Sequence, residues 1–443
     1  MTLELERTVD MRKYVDVTKG VVDRRIFADP DIYQLEMERI FARAWLFMAH
    51  DSQIPNPGDF FLTNMGEDRV ILVRDNDGAP QVLVNSCRHR GNAVCRAEEG
   101  HASSFMCTYH GWTFDLQGKL VGVPGFKEVY HEELDRDNWG LIKAAKVDSY
   151  KGFIFATMDS QAPSLPDFLG EVGRLGLSLL ADRGSMTVQP GIIKYTIPCN
   201  WKFASDNTWD WYHVAISHAS AAMSGYLQRP DRPSAASILA REHLVFPGEF
   251  GHVVAGPAIS PVIDRERSAT LGVDEEWRES PEAQSSLGPV GIRSSGHPHI
   301  FPNLWVAANS NQLSLRVPKS PTSTEMWFFT LIDRTLPQEA QDRYRFRANH
   351  TFGPTGMLEQ DDGENWGEST RAMRGVVSQR FPLHYAMGLG HGEVVRDEQS
   401  SPHIQTQVNE HAQLWHYRAW AEWMSSDSWD ELRSRDFTAG DCL

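Results

Sequence analysis

Hydrophobic and polar positions follow two different periods along the chain. Near the N-terminus, Ile32, Leu35, Ile40, Phe41 and Trp45 recur at helical spacing up to Met48. They follow an Asp29-Pro30 start, in which an acid caps the helix and proline takes its first position. The texture then changes. Asp59–Asn64, Asp68–Arg74, Gln81–Cys87, Ser104–Tyr109 and Gly152–Met158 are short runs of β-branched and aromatic residues, parted by turn formers such as Asn76-Asp77-Gly78. They predict an all-β module over residues 45–160, closed by the Pro/Ser stretch Gln161–Pro166. Beyond it, Ile192–Ile197 and Glu325–Ile332 read as strands and Phe203–Ala219 as a helix. Val408–Met424 carries Leu414, Tyr417, Trp420 and Met424 at three- and four-residue steps, a core-facing helix. Gln228–Ser237 and Ser268–His297, rich in Pro, Ser, Gly and charge, read as loops.

Composition narrows the function classes. The 443 residues correspond to two or three domains. With 43 Lys and Arg against 59 Asp and Glu, the net charge is −16, and no polybasic run offers a footprint for nucleic acid or anionic lipid. No apolar run reaches the ~18 residues of a membrane span, and the charged N-terminus has no signal-peptide core. Five cysteines, an odd and sparse set, argue against a disulfide scaffold. They fit a reducing cytoplasm, with any special cysteine acting as a metal ligand or nucleophile.

Two of the five carry a motif. Cys87-Arg88-His89 is followed, after seventeen residues, by Cys107-Thr108-Tyr109-His110. Each half ends a predicted strand, where a hairpin tip would present it. Two thiolates and two imidazoles suit tetrahedral zinc, or a [2Fe–2S] cluster with His replacing Cys on one iron. The one-residue gap between Cys87 and His89 is shorter than zinc modules favour. Gly91 and Gly111 follow where backbone must turn tightly. The pattern resembles the Rieske iron–sulfur domain. That resemblance implies that Cys87 and Cys107 hold the inner iron and His89 and His110 the outer one. Cys95, Cys199 and Cys442 read as bystanders.

A carrier domain alone would leave some 280 residues unused. Within them, Asn207, Asp210, His213 and His218 lie on an aromatic-rich segment. Five steps along a regular helix leave His213 and His218 about 140° apart, so they share a metal only if the helix is distorted or ends between them. Asp206, Asp210 and a distant carboxylate are all open as a third ligand. The distant candidates lie in Glu359-Gln360-Asp361-Asp362-Gly363-Glu364-Asn365-Trp366, which also reads as a solvated helix N-terminus.

The order of these motifs resembles the large α subunit of aromatic-ring-hydroxylating dioxygenases, closest to the naphthalene, biphenyl and toluene branch. The resemblance runs from Arg25 to the last helix. It implies an α+β fold: an all-β Rieske domain at 41–160 inserted in a catalytic domain, 1–40 and 161–443, with an antiparallel sheet flanked by helices. It implies that His213, His218 and Asp362 hold a mononuclear non-haem Fe(II), and that Asp210 bridges electron transfer to His110 of the partner subunit. Asn207 is implied near the iron, although the segment between it and Asp210 is one residue shorter than the family pattern. The implied reaction is cis-dihydroxylation with O2 as cosubstrate. The implied partners are a small β subunit in an α3β3 hexamer, a ferredoxin and a separate NADH-dependent reductase. No G-x-G-x-x-G follows a strand here to bind NADH directly.

An aromatic substrate needs an apolar pocket with few polar handles. Val214, Phe352, Leu358 and Trp366 are candidates, with Leu304 and Trp305 beside them and His297 or His299 as polar contacts. No arginine lies within the iron motifs, which favours a hydrocarbon or neutral heteroaromatic over an aromatic acid. The competing readings are a Rieske monooxygenase or demethylase, an electron-transfer protein without oxygenase activity, and a zinc-stabilised binding protein.

Overall fold

The computed structural model describes residues 10–226, 239–259, 275–397 and 400–435. The chain divides into two compact units, Phe41–Leu165 and the residues on either side of it.

The inner unit is built from three antiparallel sheets. One pairs Pro80–Val84, Asp68–Arg74, Asp59–Met65 and Glu99–His101 in that order. The second joins Leu120–Gly122, Thr113–Phe114 and Phe105–Met106, and the third Lys146–Tyr150, Phe153–Thr157 and Leu46–His50. Inward residues of the first two sheets, among them Phe60, Leu62, Ile71, Val73, Leu83 and Phe114, form one core that also contains Cys87 and Cys107.

Two expected strands end early. The strand expected over Gln81–Cys87 stops at Val84. Asn85 ends it: its carboxamide oxygen accepts from the N–H groups of Val94 (2.9 Å) and Cys95 (3.0 Å), and its Nδ2 donates to Cys95 O (2.7 Å). The strand expected over Ser104–Tyr109 is only Phe105–Met106. Likewise, the helix starting at Pro30 ends at Glu36, runs into a wider turn at Met37–Phe41, and gives way to the strand Leu46–His50.

The outer unit centres on a long antiparallel sheet, in the order Met186–Val188, Ser323–Asp333, Gln312–Ser320, Leu304–Ala307, His297–Ile300, Val253–Pro257, His243–Pro247, Ser400–Thr406 and Glu393–Asp397. Ile193–Ile197 pairs beside Met186–Val188 on Ser323–Asp333. Helices Trp201–Asp206, Gln338–Thr351 and His411–Ser425 cover it. The last is lined with tryptophans whose indole N–H groups all find acceptors: Trp415 to Gly248 O (2.9 Å), Trp420 to Glu36 Oε1 (2.8 Å) and Trp423 to Phe250 O (3.0 Å). This is the expected α+β arrangement, an all-β unit inserted in a larger one whose antiparallel sheet is flanked by helices.

Of the two expected loops, 228–237 lies outside the described residues, as does 268–274. The remainder of the second is not a loop. Pro281–Gly291 is helical, because Ser280 caps it by accepting from Ala283 N–H (3.2 Å) and Pro281 takes the first position; it kinks at Gly288, before Pro289. No helix among the described residues is long and apolar enough to cross a membrane.

Candidate active site and metal centres

In the Rieske-like unit, the two motif halves fold into the same loop. Gly91 N–H donates to Cys87 O (2.8 Å) and Gly111 N–H to Cys107 O (2.9 Å). Cys87 N–H is paired with Asn92 O (2.9 Å) and Cys107 N–H with Trp112 O (2.8 Å). Each loop closes on a glycine in the left-handed region, φ 76° at Gly91 and 75° at Gly111. The histidine sits two residues after cysteine in one loop and three in the other. The two imidazoles meet edge to face, centroids 4.4 Å apart, with Trp112 stacked on His89 at 5.1 Å. Both thiols are buried, and His89 Nδ1 is buried with no hydrogen-bond partner. Asn92 Nδ2 lies 3.6 Å from Cys107 Sγ. A nitrogen left bare beside two sunken sulfurs fits a two-Cys, two-His cluster. Cys95 is buried beside the pair with its thiol toward Ala97 O, Cys199 has its thiol pushed up to about 12 by burial, and Cys442 lies outside the described residues.

The second constellation depends on a broken helix. Phe203–Ala219, expected as one helix, is several short pieces: Trp201–Asp206, Asn207–Trp209, Val214–Ser217 and Ala219–Met223. Asp210 breaks it. Its backbone turns extended (ψ 90°), and its Oδ1 accepts from the N–H groups of Tyr212 (2.8 Å) and His213 (3.2 Å). Its other oxygen lies 3.3 Å from His213 Nδ1. His213 and His218 therefore flank a single helical turn, which removes the 140° conflict.

Three ligand-type atoms converge. His213 Nε2 and His218 Nε2 are 3.1 Å apart, and Asp362 Oδ1 is 3.2 Å from the first and 3.4 Å from the second. Donors ~2.1 Å from one metal, at roughly right angles, would stand ~3.0 Å apart. Asp362 Oδ1 is buried without a hydrogen-bond partner and faces the two rings. Among the described residues no other group of three His, Cys, Asp or Glu side chains converges in this way. The electrostatics also call for a cation. Burial opposes charge on His213, yet Asp210 and Asp362 outweigh it and raise its pKa to about 10. Asp361 does not join the cluster. Its Oδ2 accepts from Ser220 Oγ (3.0 Å) and lies 3.7 Å from His218 Nδ1, mirroring Asp210 at His213. Asp206 is also elsewhere, bonded to the hydroxyls of Tyr385 and Tyr417, with burial raising its pKa to about 7.

The acidic run forms the first turn of the helix Glu359–Ala372. Backbone and side-chain bonds tie this helix to the histidine segment: Asn200 N–H donates to Thr370 Oγ1 (2.9 Å) and Asn365 Nδ2 to Ser217 Oγ (3.3 Å). A cavity of about 240 Å³ opens beside the converging atoms and is lined by Val214, His297, Trp305, Phe352, Leu358 and Trp366, and also by Asn207 and Asp210. His297 Nδ1 donates to Thr208 O (2.9 Å). His299 and Leu304 do not reach the cavity: His299 is fully buried against Trp209, and Leu304 is core.

The comparisons with known proteins identify the family. Residues 185–426 match the family described as ring hydroxylating alpha subunit (catalytic domain), and residues 44–145 match the Rieske [2Fe-2S] domain. The chain is 37% identical to biphenyl dioxygenase subunit alpha of Metapseudomonas furukawaii, over 96% of its own length and 95% of that protein's. It belongs to the ring-hydroxylating dioxygenase alpha subunits. A structure of naphthalene 1,2-dioxygenase from Rhodococcus sp. bound to indole superposes with a TM-score of 0.82 at 32% identity, covering 97% of this chain and 100% of that one. A second naphthalene 1,2-dioxygenase structure, also with indole in its active site, gives a TM-score of 0.84 at 28% identity, with 97% of each chain covered.

This alpha subunit is thus a Rieske non-haem iron dioxygenase, with a [2Fe–2S] domain and a mononuclear-iron catalytic domain, using O2 and NADH-derived electrons through electron-transfer partners. Sequence reasoning missed much of its cavity wall. Trp211, Tyr226, Thr351 and Glu359 line it, and so do Arg241, Arg316 and Arg347. The arginines come from segments far from the iron motifs, so their absence from those motifs said nothing about the wall. Arg316 is held by Ala204 O (3.1 Å) and Ser314 O (3.0 Å) and lies over the Trp305 ring. The one available signal was placement: Glu359 belongs to the acidic run already singled out.

Proposed function

We propose that His213, His218 and Asp362 hold the mononuclear Fe(II), that Cys87, His89, Cys107 and His110 hold the cluster, and that the enzyme cis-dihydroxylates an aromatic hydrocarbon or neutral heteroaromatic ring. The observation that carries this reading is the convergence of two Nε2 atoms and one carboxylate oxygen at the wall of a largely apolar cavity. Bound there, the iron supplies open positions for O2, and the cluster supplies electrons one at a time.

The chain's own side chains do the rest. Phe352, Leu358, Trp305 and Trp366 orient a flat ring and exclude water. The Asp210 and Asp361 carboxylates stand 3.3 and 3.7 Å from the Nδ1 atoms of the two imidazoles and favour by their charge the orientation in which Nε2 faces the metal. The Asp210 side chain keeps about a third of its surface exposed, beside the exposed Tyr212 and Ile216. This supports a bridge to His110 of the partner subunit. A small β subunit in an α3β3 assembly, a ferredoxin, a separate reductase and a cytoplasmic location complete the proposal. A second reading, an aromatic ring bearing an anionic substituent, is favoured by the presence of Arg241 and Arg347 in the cavity wall.

The test is product analysis under 18O2 with reconstituted electron-transfer proteins and a panel containing hydrocarbons and aromatic acids. A cis-diol with both oxygens labelled is expected, and one labelled oxygen would instead support monooxygenation. Asp362→Ala should lose mononuclear iron and product while keeping the visible cluster spectrum. Asp361→Ala should keep at least part of both, because it orients a ligand and is not one. Retained turnover in Asp362→Ala would refute the ligand assignment.

A further inference from the structure

Ring dihydroxylation joins an aromatic molecule, O2, two electrons and two protons in a cis-dihydrodiol. The electrons come from NADH through one-electron carriers, so the protons must enter the cavity separately. Titratable groups in the cavity wall are candidates for that route.

Glu359 is placed for this. It is almost fully buried, 2% exposed, at the start of the helix Glu359–Ala372. It lines the iron-site cavity and also lines a second, more open cavity of about 320 Å³ on the other side of that wall. The Tyr195 hydroxyl donates to Glu359 Oε1 at 2.7 Å, and Tyr195 lines the second cavity but not the first. Thr196, Pro198, Glu364, Glu368 and Arg371 give that outer cavity an exposed rim. Glu359 is thus common to the walls of both cavities, and its carboxyl is in hydrogen-bond contact with the phenol of Tyr195 in the outer one.

We propose that Tyr195 and Glu359 form a proton conduit from the outer cavity into the active-site cavity. This rests on the dioxygenase reading above. In each passage the Glu359 carboxyl O–H breaks and its proton enters the cavity. The Tyr195 O–H proton moves to Oε1, the Tyr195 oxygen takes a proton from hydronium in the outer cavity, and rotation of the carboxyl turns the new O–H toward the active-site cavity. No electron moves, neither side chain keeps a charge, and two passages supply the two protons of one turnover. The charged and titratable groups around Glu359 are compatible with this. Burial and the Asp362 charge favour its neutral form, while the Tyr195 hydroxyl and the Arg316 guanidinium favour its ionised form, and the pKa settles at about 7. The Cys199 thiol also lies within its field. Burial and the Glu359 charge hold the Tyr195 phenol protonated.

Tyr195→Phe removes one oxygen and keeps the ring that stacks on Phe328 (centroids 6.3 Å, 3° between planes). Infrared difference spectra of the resting full-length protein, recorded on transfer from H2O to D2O, report the conduit without turnover. The parent-minus-Glu359→Gln difference, which subtracts the buried Asp206 carboxyl, should show a protonated-carboxyl stretch that exchanges near neutral pH. In Tyr195→Phe it should remain, with exchange slowed about ten- to hundredfold. In turnover with iron content checked, both variants should release a larger share of consumed O2 as hydrogen peroxide, and a small acid such as formate should restore coupling in Glu359→Ala. Unchanged exchange of that stretch in Tyr195→Phe, or no stretch in the parent-minus-Glu359→Gln difference, overturns the conduit. Failure of the parent to form any diol overturns the functional reading instead, and the exchange measurement still decides the conduit.

Discussion

Removing the negative charge of Glu36 should destabilise the catalytic unit more than almost any other conservative substitution. The Glu36 carboxylate is completely buried and accepts from Lys202 Nζ, Trp201 Nε1 (2.8 Å) and Trp420 Nε1 (2.8 Å). Lys202 has no exposed surface either, and burial already pushes its pKa down against the pull of Glu36. Glu36→Gln keeps the shape and leaves an ammonium with no counter-charge, a loss of about 3–5 kcal/mol for a broken buried pair. Lys202→Met leaves the carboxylate with two indole donors and should cost somewhat less. The double variant has no stranded charge, so its loss should fall short of the sum of the singles by at least ~2 kcal/mol. Urea unfolding followed by tryptophan fluorescence measures all three. With a slope of about 3 kcal/mol per molar urea, the Glu36→Gln midpoint should drop by roughly 1–1.7 M. Single variants with the parent's midpoint, or a double variant equal to the sum of the singles, would refute the reasoning. The pair joins the N-terminal segment to the helix that leads into His213, so the midpoint should fall together with iron content.

Two other expectations follow from local geometry. Gly91 and Gly111 share a left-handed backbone, but a Cβ at Gly111 would lie 2.8 Å from Pro124 Cγ, whereas at Gly91 the nearest atom is Ser86 Oγ at 3.9 Å. Gly91→Ala should therefore cost only the backbone term, about 1–2 kcal/mol, and Gly111→Ala should bind visibly less cluster by absorbance; equal cluster content would contradict this. His252 is fully buried, accepts from Phe301 N–H (3.0 Å) and donates to Phe168 O (2.8 Å), and burial lowers its pKa to about 4. Above its ordinary pKa of 6.5 both folded and unfolded states are neutral; below it the unfolded chain takes a proton that the folded one refuses. Stability should thus fall by ~2 kcal/mol from pH 7 to pH 5 on account of this residue alone, and His252→Gln should flatten that limb of the urea midpoint against pH.

Much of the site was legible because its chemistry is local. Cys87, His89, Cys107 and His110 sit on two short loops whose turns are closed by Gly91 and Gly111, so spacing along the chain already encodes their geometry. His213 and His218 are likewise near neighbours. Spacing stated the condition, a break in the helix, and Asp210 meets it through its own backbone bonds.

What the sequence by itself determined is which donor atoms exist, and the short-range turns that present them. Hydrogen bonds between residues a few positions apart are decided by the residues themselves. The tertiary structure decided which carboxylate meets the two imidazoles. Asp206 and Asp210 are nearer in sequence, yet Asp362 converges and Asp361 does not, because the docking of helix Glu359–Ala372 sets which side of its first turn faces the rings. It also decided the cavity wall. Arg241, Trp305, Arg316 and Arg347 come from separate elements, and no periodicity can report which residues of distant segments share one surface. Glu359 shows the division most clearly: an acid in an acidic run by sequence, and by packing a buried carboxyl between two cavities.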